Sequence, residues 1–246
     1  MNEFRTDSYE INTYDVDLRG RLFPTRLMLL MQNTAWKHAE DLGIGYSHLI
    51  KKNLIWVLSR VRVEIDEYPL WNDILTIKTF PIGCDNLMCY RDFLFFKNEL
   101  QIGKGTSAWF VINIDERRPQ RVKSYYDNNI KPLPSIFKER IGKLNLKFET
   151  EPAFRTKVDF KSIDVNGHAN NAKYLDWITD YYDSEFLTNN TLQEFEINYI
   201  SEAVLNDEIE IQIKKEKDDH NYFLIKNRIT NKEICRAKTL WRKDVK

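Results

Sequence analysis

The chain has 246 residues, with 37 basic and 37 acidic side chains, so its formal net charge is zero. Hydrophobic residues make up 42% and aromatic residues 13% of the sequence, which is enough for a sizeable core and excludes a disordered chain. A chain without net charge has no global field to hold nucleic acid or an anionic membrane surface, so we expect neither partner. The length fits one large domain or two small ones.

The N-terminus is polar and carries acidic residues from position 3, whereas a secretory signal needs a basic start and an apolar run. The most apolar stretch, residues 27–31, is too short to cross a bilayer. The three cysteines are Cys84, Cys89 and Cys235, and their spacing fits neither a zinc site nor a disulfide framework. We therefore expect a soluble protein of the reducing cytoplasm, with no membrane insertion.

The two halves of the chain repeat one pattern. Residues 17–30 align with 164–177, residues 70–77 with 204–211, and Trp109 with Trp241. Three matches in the same order predict two copies of one module, because internal similarity along a chain marks a repeated structural unit. We place the N-terminal module at residues 1–120, a connector at 121–150 and the C-terminal module at 151–246.

Each copy reads as a polar turn, then a helix, then several strands. Pro24 and Gly43 bracket a first helix over residues 25–42, and an asparagine at 170 or 171 can cap the start of a second. Alternating β-branched residues at 56–66 and 74–80 indicate strands. The pattern predicts an α+β protein with two long central helices on one extended antiparallel sheet.

The segment Ile-Asp-Val-Asn-Gly-His at 163–168, followed by a helix, resembles the active-site segment of acyl-carrier-protein thioesterases of the double hot-dog fold. Residues 53–80, 84–96 and 105–122 resemble further stretches of that family. The resemblance implies a tandem hot-dog fold. It also implies an enzyme that hydrolyses the acyl thioester on acyl-carrier protein, releasing free fatty acid and ending fatty-acid synthesis. No metal and no organic cofactor is implied. Acyl-coenzyme A as a further substrate, and a homodimer, stay open alternatives.

The catalytic residues that the resemblance implies are Asp164, Asn166, His168 and Glu202. Plant members carry a cysteine directly after the last acid, but this chain has Ala203, so a Cys–His mechanism cannot operate there. We expect Glu202 or Asp164 to activate water, and His168 and Asn166 to orient the water or the carbonyl. A backbone N–H near the start of the second helix is expected to help hold the oxyanion.

The internal repeat separates a catalytic copy from a scaffold copy. At the positions of Asn166, His168 and Glu202, the first copy has Arg19, Arg21 and Tyr68. We therefore expect the first copy to form the acyl-chain pocket, with Trp36, Trp56 and Trp109 in the core or the pocket wall. Since both copies keep an aspartate, at 17 and 164, Asp164 is also open to interpretation as a turn residue that bonds the backbone ahead of it.

Two other functions compete with hydrolysis. A hot-dog dehydratase acting on hydroxyacyl thioesters also pairs a histidine with an acid, and a non-catalytic acyl-thioester sensor would bind without turnover. The product distinguishes them, because hydrolysis releases a free thiol whereas dehydration gives an enoyl thioester. The basic run at 116–123 is either a solvated loop or a surface for an acidic carrier protein.

Overall fold

The computed structural model describes residues 3–122, 130–145, 150–216 and 220–244. The chain forms two compact units, Met1–Ile141 and Gly142–Lys246, called here the N-terminal unit and the C-terminal unit. Within the described residues, none of the helices has the length and apolar character needed to span a membrane.

The N-terminal unit is a helix-bearing antiparallel sheet. Its helices are α1 (Pro24–Asp41) and the short α2 (Tyr46–Leu49). Its strands are β1 (Arg5–Glu10), β2 (Leu54–Ile65), β3 (Ile74–Cys84), β4 (Met88–Lys97), β5 (Leu100–Asn113) and β6 (Arg118–Pro119). The strand order is β1-β3-β4-β5-β2, and β6 pairs with the end of β5.

Helix α1 lies within one residue of the predicted boundaries and buries one stripe of side chains. The buried stripe comprises Leu27, Met28, Leu30, Met31, Thr34, Ala35 and His38. Met31 reaches the sheet at Gly105, where an added Cβ would lie 3.1 Å from its Cε atom. Trp36 is 53% exposed and does not line the cavity described below, so its expected place in the core or the pocket wall was wrong. At 3.6 residues per turn, position 36 points away from the stripe centred on residues 27, 31, 34 and 38.

Residues 130–141, most of the predicted connector that falls in this unit and is described, pack against the sheet. Asp92 on β4 is fully buried and accepts hydrogen bonds from the Ser135 hydroxyl and the Ile136 N–H, both at 2.9 Å. Burial raises the pKa of the Asp92 carboxyl. Leu133 donates its N–H to Pro81. This segment therefore covers the face of the sheet that carries Asp92. Arg91 and Phe93, its neighbours on β4, point to the other face because side chains alternate along a strand.

The C-terminal unit repeats the topology of the N-terminal unit. Its helices are α3 (Lys173–Thr179) and α4 (Ser184–Asn189). Its strands are β7 (Glu151–Lys157), β8 (Asn190–Tyr199), β9 (Glu208–Lys215), β10 (His220–Asn227) and β11 (Glu233–Lys243). The strand order β7-β9-β10-β11-β8 matches β1-β3-β4-β5-β2, element for element. The α+β class with extensive antiparallel sheet is confirmed.

The second helix is shorter than the predicted long central helix. It begins at Lys173, because the Asn170 side chain instead accepts the Ala172 N–H at 2.9 Å in the turn before it. It ends at Thr179, and the Asp183 side chain then caps a separate helix by accepting the Phe186 N–H at 2.7 Å. The expectation of two long helices was therefore wrong for the second copy, because a second N-cap interrupts the helix.

Cys84 and Cys89 form a disulfide with an S–S distance of 2.02 Å, so the expectation from cysteine spacing was wrong. The two residues are register partners across the β3–β4 hairpin, which brings their Cα atoms to 4.1 Å. The spacing of five in sequence gave no sign of this, because the pairing depends on where the hairpin turns. The third cysteine, Cys235, is free and buried.

Candidate active site

The turn that carries the predicted site is closed by Asp164. Its Oδ1 atom accepts the N–H of Asn166 at 2.8 Å and of His168 at 3.4 Å. Its backbone bonds to the carbonyl of His168 and to the N–H of Gly167. Gly167 has φ +80°, a left-handed conformation that glycine adopts without a steric penalty. The turn fixes the direction in which His168 leaves the backbone.

A backbone bridge places this turn beside the predicted acid. His168 forms a β-bridge with Val204, and Ala169 donates its N–H to the Ala203 carbonyl at 2.8 Å. The His168 Nε2 atom consequently lies 3.0 Å from Glu202 Oε2. Both side chains reach solvent, with 20% of the histidine and 40% of the glutamate exposed. The arrangement offers a histidine–carboxylate pair that a water molecule and a thioester can approach.

The four predicted residues thus occupy one corner of the C-terminal unit, with different surroundings. His168 and Glu202 are in contact. Asp164 uses one carboxylate oxygen to hold the turn, which favours its reading as a turn residue. Asn166 is exposed on the same turn as His168. Their catalytic roles stay predictions.

Tyr174 lies beside the site and was not singled out in the sequence. It is buried on α3, and its hydroxyl is hydrogen-bonded to the backbone of Ala203, the neighbour of Glu202. Burial raises the pKa of the Tyr174 hydroxyl, so the group stays protonated. The repeat alignment carried a signal, since the first copy has Leu27 at the position of Tyr174.

Cys235 lies in the core of the same unit, on β11 opposite Tyr199. Burial raises the pKa of its thiol well above the ordinary value. The thiolate is the nucleophilic form of cysteine, so this residue is a poor candidate nucleophile.

The N-terminal unit builds the same corner without the pair. Asp17 Oδ1 accepts the N–H groups of Arg19 at 2.8 Å and Arg21 at 3.0 Å, and Arg21 forms a β-bridge with Leu70. Arg21 also pairs with the Asp17 carboxylate at 2.9 Å. Tyr68 takes the place of Glu202, and its buried hydroxyl has no hydrogen-bond partner among the described residues. The same backbone geometry therefore holds an arginine and a phenol instead of an acid–base pair.

This comparison yields a test of Asp164, with Asp17 as the matched control. We expect Asp164→Asn to keep kcat within about tenfold of the parent, since the amide oxygen still accepts the turn N–H groups. A general base is typically worth about 10²–10⁴ in rate, so a loss of a hundredfold or more would instead make Asp164 the base. Asp17→Asn, measured by the same assay and by urea unfolding, reports the cost to the turn alone.

A small apolar cavity lies within the N-terminal unit, with a volume of about 10 Å³, which is room for about one water molecule. Its lining residues are Met28, Met31, Gln32, Leu58, Val61, Phe93, Ser107 and Trp109. The Trp109 indole N–H donates to the Ser107 hydroxyl at 2.8 Å, which leaves the tryptophan ring as part of the wall. Of the expected pocket residues, Trp109 lines this cavity. Among the described residues there is no group of three or more His, Cys, Asp or Glu side chains placed to hold a metal ion.

Solved structures share this architecture. An acyl-ACP thioesterase from Bacteroides thetaiotaomicron superposes with a TM-score of 0.88 at 25% identity, covering 98% of each chain. The 12:0-ACP thioesterase from Umbellularia californica gives a TM-score of 0.84 at 20% identity, covering 99% of each chain, and at that identity shows likeness of fold.

Curated relatives are similar over most of the chain. An oleoyl-acyl carrier protein thioesterase from Coriandrum sativum is 25% identical over 242 residues, covering 87% of this chain and 63% of the relative. An acyl-[acyl-carrier-protein] hydrolase from Cuphea viscosissima is 26% identical over 257 residues, covering 96% of this chain and 61% of the relative. The chain thus spans about three fifths of the length of these two plant proteins.

Two family models account for almost the whole sequence. The acyl-ACP thioesterase N-terminal domain matches residues 2–130, and the acyl-ACP thioesterase C-terminal domain matches residues 143–243. The first match alone covers more than half of the chain. The corner geometry repeated in both units, the topology shared with solved structures and both domain matches lead to one assignment: the chain belongs to the acyl-ACP thioesterase family.

Proposed function

We propose that this protein hydrolyses the acyl thioester on acyl-carrier protein, releasing a free fatty acid and the carrier thiol. The observation that carries the proposal is the 3.0 Å contact between His168 Nε2 and Glu202 Oε2 at a solvent-reachable corner. Membership of the acyl-ACP thioesterase family supports it. The fold that we propose is a tandem hot-dog, one module in each unit, with the C-terminal module catalytic. The side-by-side packing expected from the repeat stays a prediction.

In the proposed mechanism Glu202 is the base. It takes a proton from a water molecule, whose oxygen attacks the thioester carbonyl carbon. His168 orients the Glu202 carboxylate through Nε2, and Tyr174 holds the backbone beside it. The oxyanion is stabilised by N–H donors, with the Asn166 amide as the side-chain candidate. When the carbon–sulfur bond breaks, the proton held by the His168–Glu202 pair passes to the leaving sulfur, so the site returns to its starting state.

For the acyl chain, we propose the apolar cavity of the N-terminal unit, widened by rearrangement of its flexible methionine side chains, because about 10 Å³ does not hold an alkyl chain. Its lining of methionine, leucine, valine and aromatic side chains suits an alkyl chain, whose transfer from water is worth about 0.8 kcal/mol per buried methylene. Acyl-coenzyme A as a substrate and a homodimeric state stay open alternatives. Location in the cytoplasm, expected from the sequence, also stays a prediction.

The test is a panel of acyl-acyl-carrier-protein substrates from short to long chains, with free-thiol release and product analysis as readouts. Hydrolysis predicts one free thiol for each fatty acid released. An enoyl thioester product would identify a dehydratase, and binding without turnover of any substrate would identify a sensor. Comparing the same acyl groups on coenzyme A measures the contribution of the carrier protein.

For the carrier protein, we propose docking on the exposed arginines Arg117, Arg118 and Arg121. Charge reversal to glutamate at all three is expected to raise KM for the acyl-carrier protein but not for a small acyl-pantetheine thioester, and salt should reduce the difference. Electrostatic steering acts on the acidic protein partner and is screened by ions. The exposed Lys51→Glu variant, outside the predicted basic segment 117–147, is the control. Equal effects on both substrates would contradict the docking role. Lys123, the end of the basic run, lies outside the described residues.

A further inference from the structure

We propose that the Cys84–Cys89 disulfide is a reversible thiol switch that controls the wall of the apolar cavity in the N-terminal unit. The switch would be opened by a dithiol reductant of the thioredoxin class and closed by oxidation. Its effect on substrate preference rests on the proposed hydrolase function, whereas its thiol chemistry does not.

The two sulfurs differ in access. Cys84 is half-buried at the end of β3, and the three residues that follow it, 85–87, are exposed. Cys89 is only 7% exposed, on β4. Thiol–disulfide exchange begins where an incoming thiolate can reach a sulfur. An attacking thiolate therefore meets Cys84 first.

The hairpin does not depend on the disulfide for its shape. The Asp85 carboxylate accepts the N–H groups of Leu87 at 2.9 Å and Met88 at 2.8 Å, as well as the Tyr90 hydroxyl at 2.9 Å. The Asp85 N–H also bonds to the Met88 carbonyl at 2.8 Å. Opening the disulfide is thus expected to relax the strand ends while the turn and the fold persist.

The disulfide is coupled to the cavity through one strand pairing. Cys89 is the register partner of Trp109 on β5, and Trp109 is part of the cavity wall. Phe93, four residues further along β4 and on the same face as Cys89, lines the cavity too. A displacement of Cys89 is therefore passed directly to the aromatic side of the wall.

The bond chemistry balances with the named reductant. One thiolate of the dithiol attacks the Cys84 sulfur, forming a mixed disulfide and releasing Cys89 as a thiolate that takes up a proton. The second thiol of the reductant then attacks its own sulfur in the mixed disulfide, releasing Cys84, which is also protonated. The protein gains two electrons and two protons, and the reductant leaves as a disulfide.

The thiol chemistry is tested with single variants in the folded protein. In Cys89→Ser, the remaining Cys84 thiol is expected to react with iodoacetamide at least about tenfold faster than the Cys89 thiol in Cys84→Ser. The fully buried Cys235 should stay unlabelled in both, and denatured samples give the full count. Equal labelling of Cys84 and Cys89, or three free thiols rather than one in the denatured parent protein after mild oxidation, would overturn the proposal.

The coupling is tested by comparing oxidised protein, reduced protein and the double variant Cys84→Ser/Cys89→Ser. Reduction should change the indole fluorescence, and Trp109→Phe should remove that change. Reduction should also raise the rate on the longest acyl substrate relative to the shortest by at least about threefold, because a relaxed cavity wall admits a longer acyl chain. The double variant should match the reduced protein with or without dithiol.

Unchanged fluorescence and an unchanged substrate profile on reduction would overturn the coupling. Loss of the response in Cys235→Ser would also contradict it, because that cysteine is not part of the switch. If no substrate is hydrolysed in any redox state, the proposed function fails, while labelling and fluorescence still decide the switch.

Discussion

Replacement of Glu202 by glutamine is expected to lower kcat for acyl-carrier-protein thioesters by at least about a hundredfold, equivalent to about 2.7 kcal/mol of barrier. The amide keeps the size of the side chain and its hydrogen-bonding capacity toward His168, but it cannot take a proton from water. Because the side chain is 40% exposed, the fold should tolerate the change. The measurement is kcat by thiol release, with circular dichroism and urea unfolding as checks on the fold.

The matched control is Tyr68→Phe, at the equivalent corner of the N-terminal unit. It removes a hydroxyl that lies buried without a partner among the described residues, so it should leave kcat unchanged. If Glu202→Gln retains more than about a tenth of parental activity, Glu202 is not the base. The base would then be sought at Asp164, whose own variant separates the two carboxylates.

His168→Ala is expected to reduce kcat by a similar factor, at least about a hundredfold, because the Glu202 carboxylate loses the partner that orients it and the proton relay to sulfur. Arg21→Ala, the corresponding change in the N-terminal unit, should have little effect on kcat. Both variants are compared over the same substrate panel, so that KM and kcat are obtained separately.

The double variant His168→Ala/Glu202→Gln sharpens the assignment. Residues that act as one unit are strongly non-additive, so its kcat should lie within about tenfold of the slower single variant. Fully additive losses would mean that the two side chains act independently. Isolation of an acyl-cysteine intermediate from the parent enzyme would contradict both predictions, because they require attack by water and not by a thiol. The position after Glu202 is Ala203 and offers no thiol.

Local patterns predicted the first helix and the strands well, because the evidence for them lies within a few residues. The α1 boundaries follow from Pro24 and Gly43, and β2 and β3 follow from alternation of β-branched residues. The second helix was predicted too long because several side chains compete for helix caps near it. Which backbone N–H the Asn170 and Asp183 side chains accept depends on how each turn packs.

The predicted site residues were likewise found partly from local sequence and partly not. The spacing of Asp164, Asn166 and His168 within one turn places them together in any fold, so the sequence was sufficient for that part. Glu202 is more than thirty residues away, and its inclusion came from resemblance. Its contact with His168 arises from the bridge between the turn and the segment after β8. Tyr174 was missed because an aromatic at helical spacing reads as core unless its hydroxyl has a visible partner.

By itself, the sequence determined that two copies of one module are present and that only the second carries a histidine and an acid at the key positions, because both are matters of residue identity and order. Tertiary structure alone decided which distant side chains meet: Glu202 with His168, Tyr174 with Ala203, Asp92 with Ser135, and Cys84 with Cys89. Such pairs depend on strand register and on the exact turn of a hairpin, where a shift of one residue moves a side chain to the other face of the sheet.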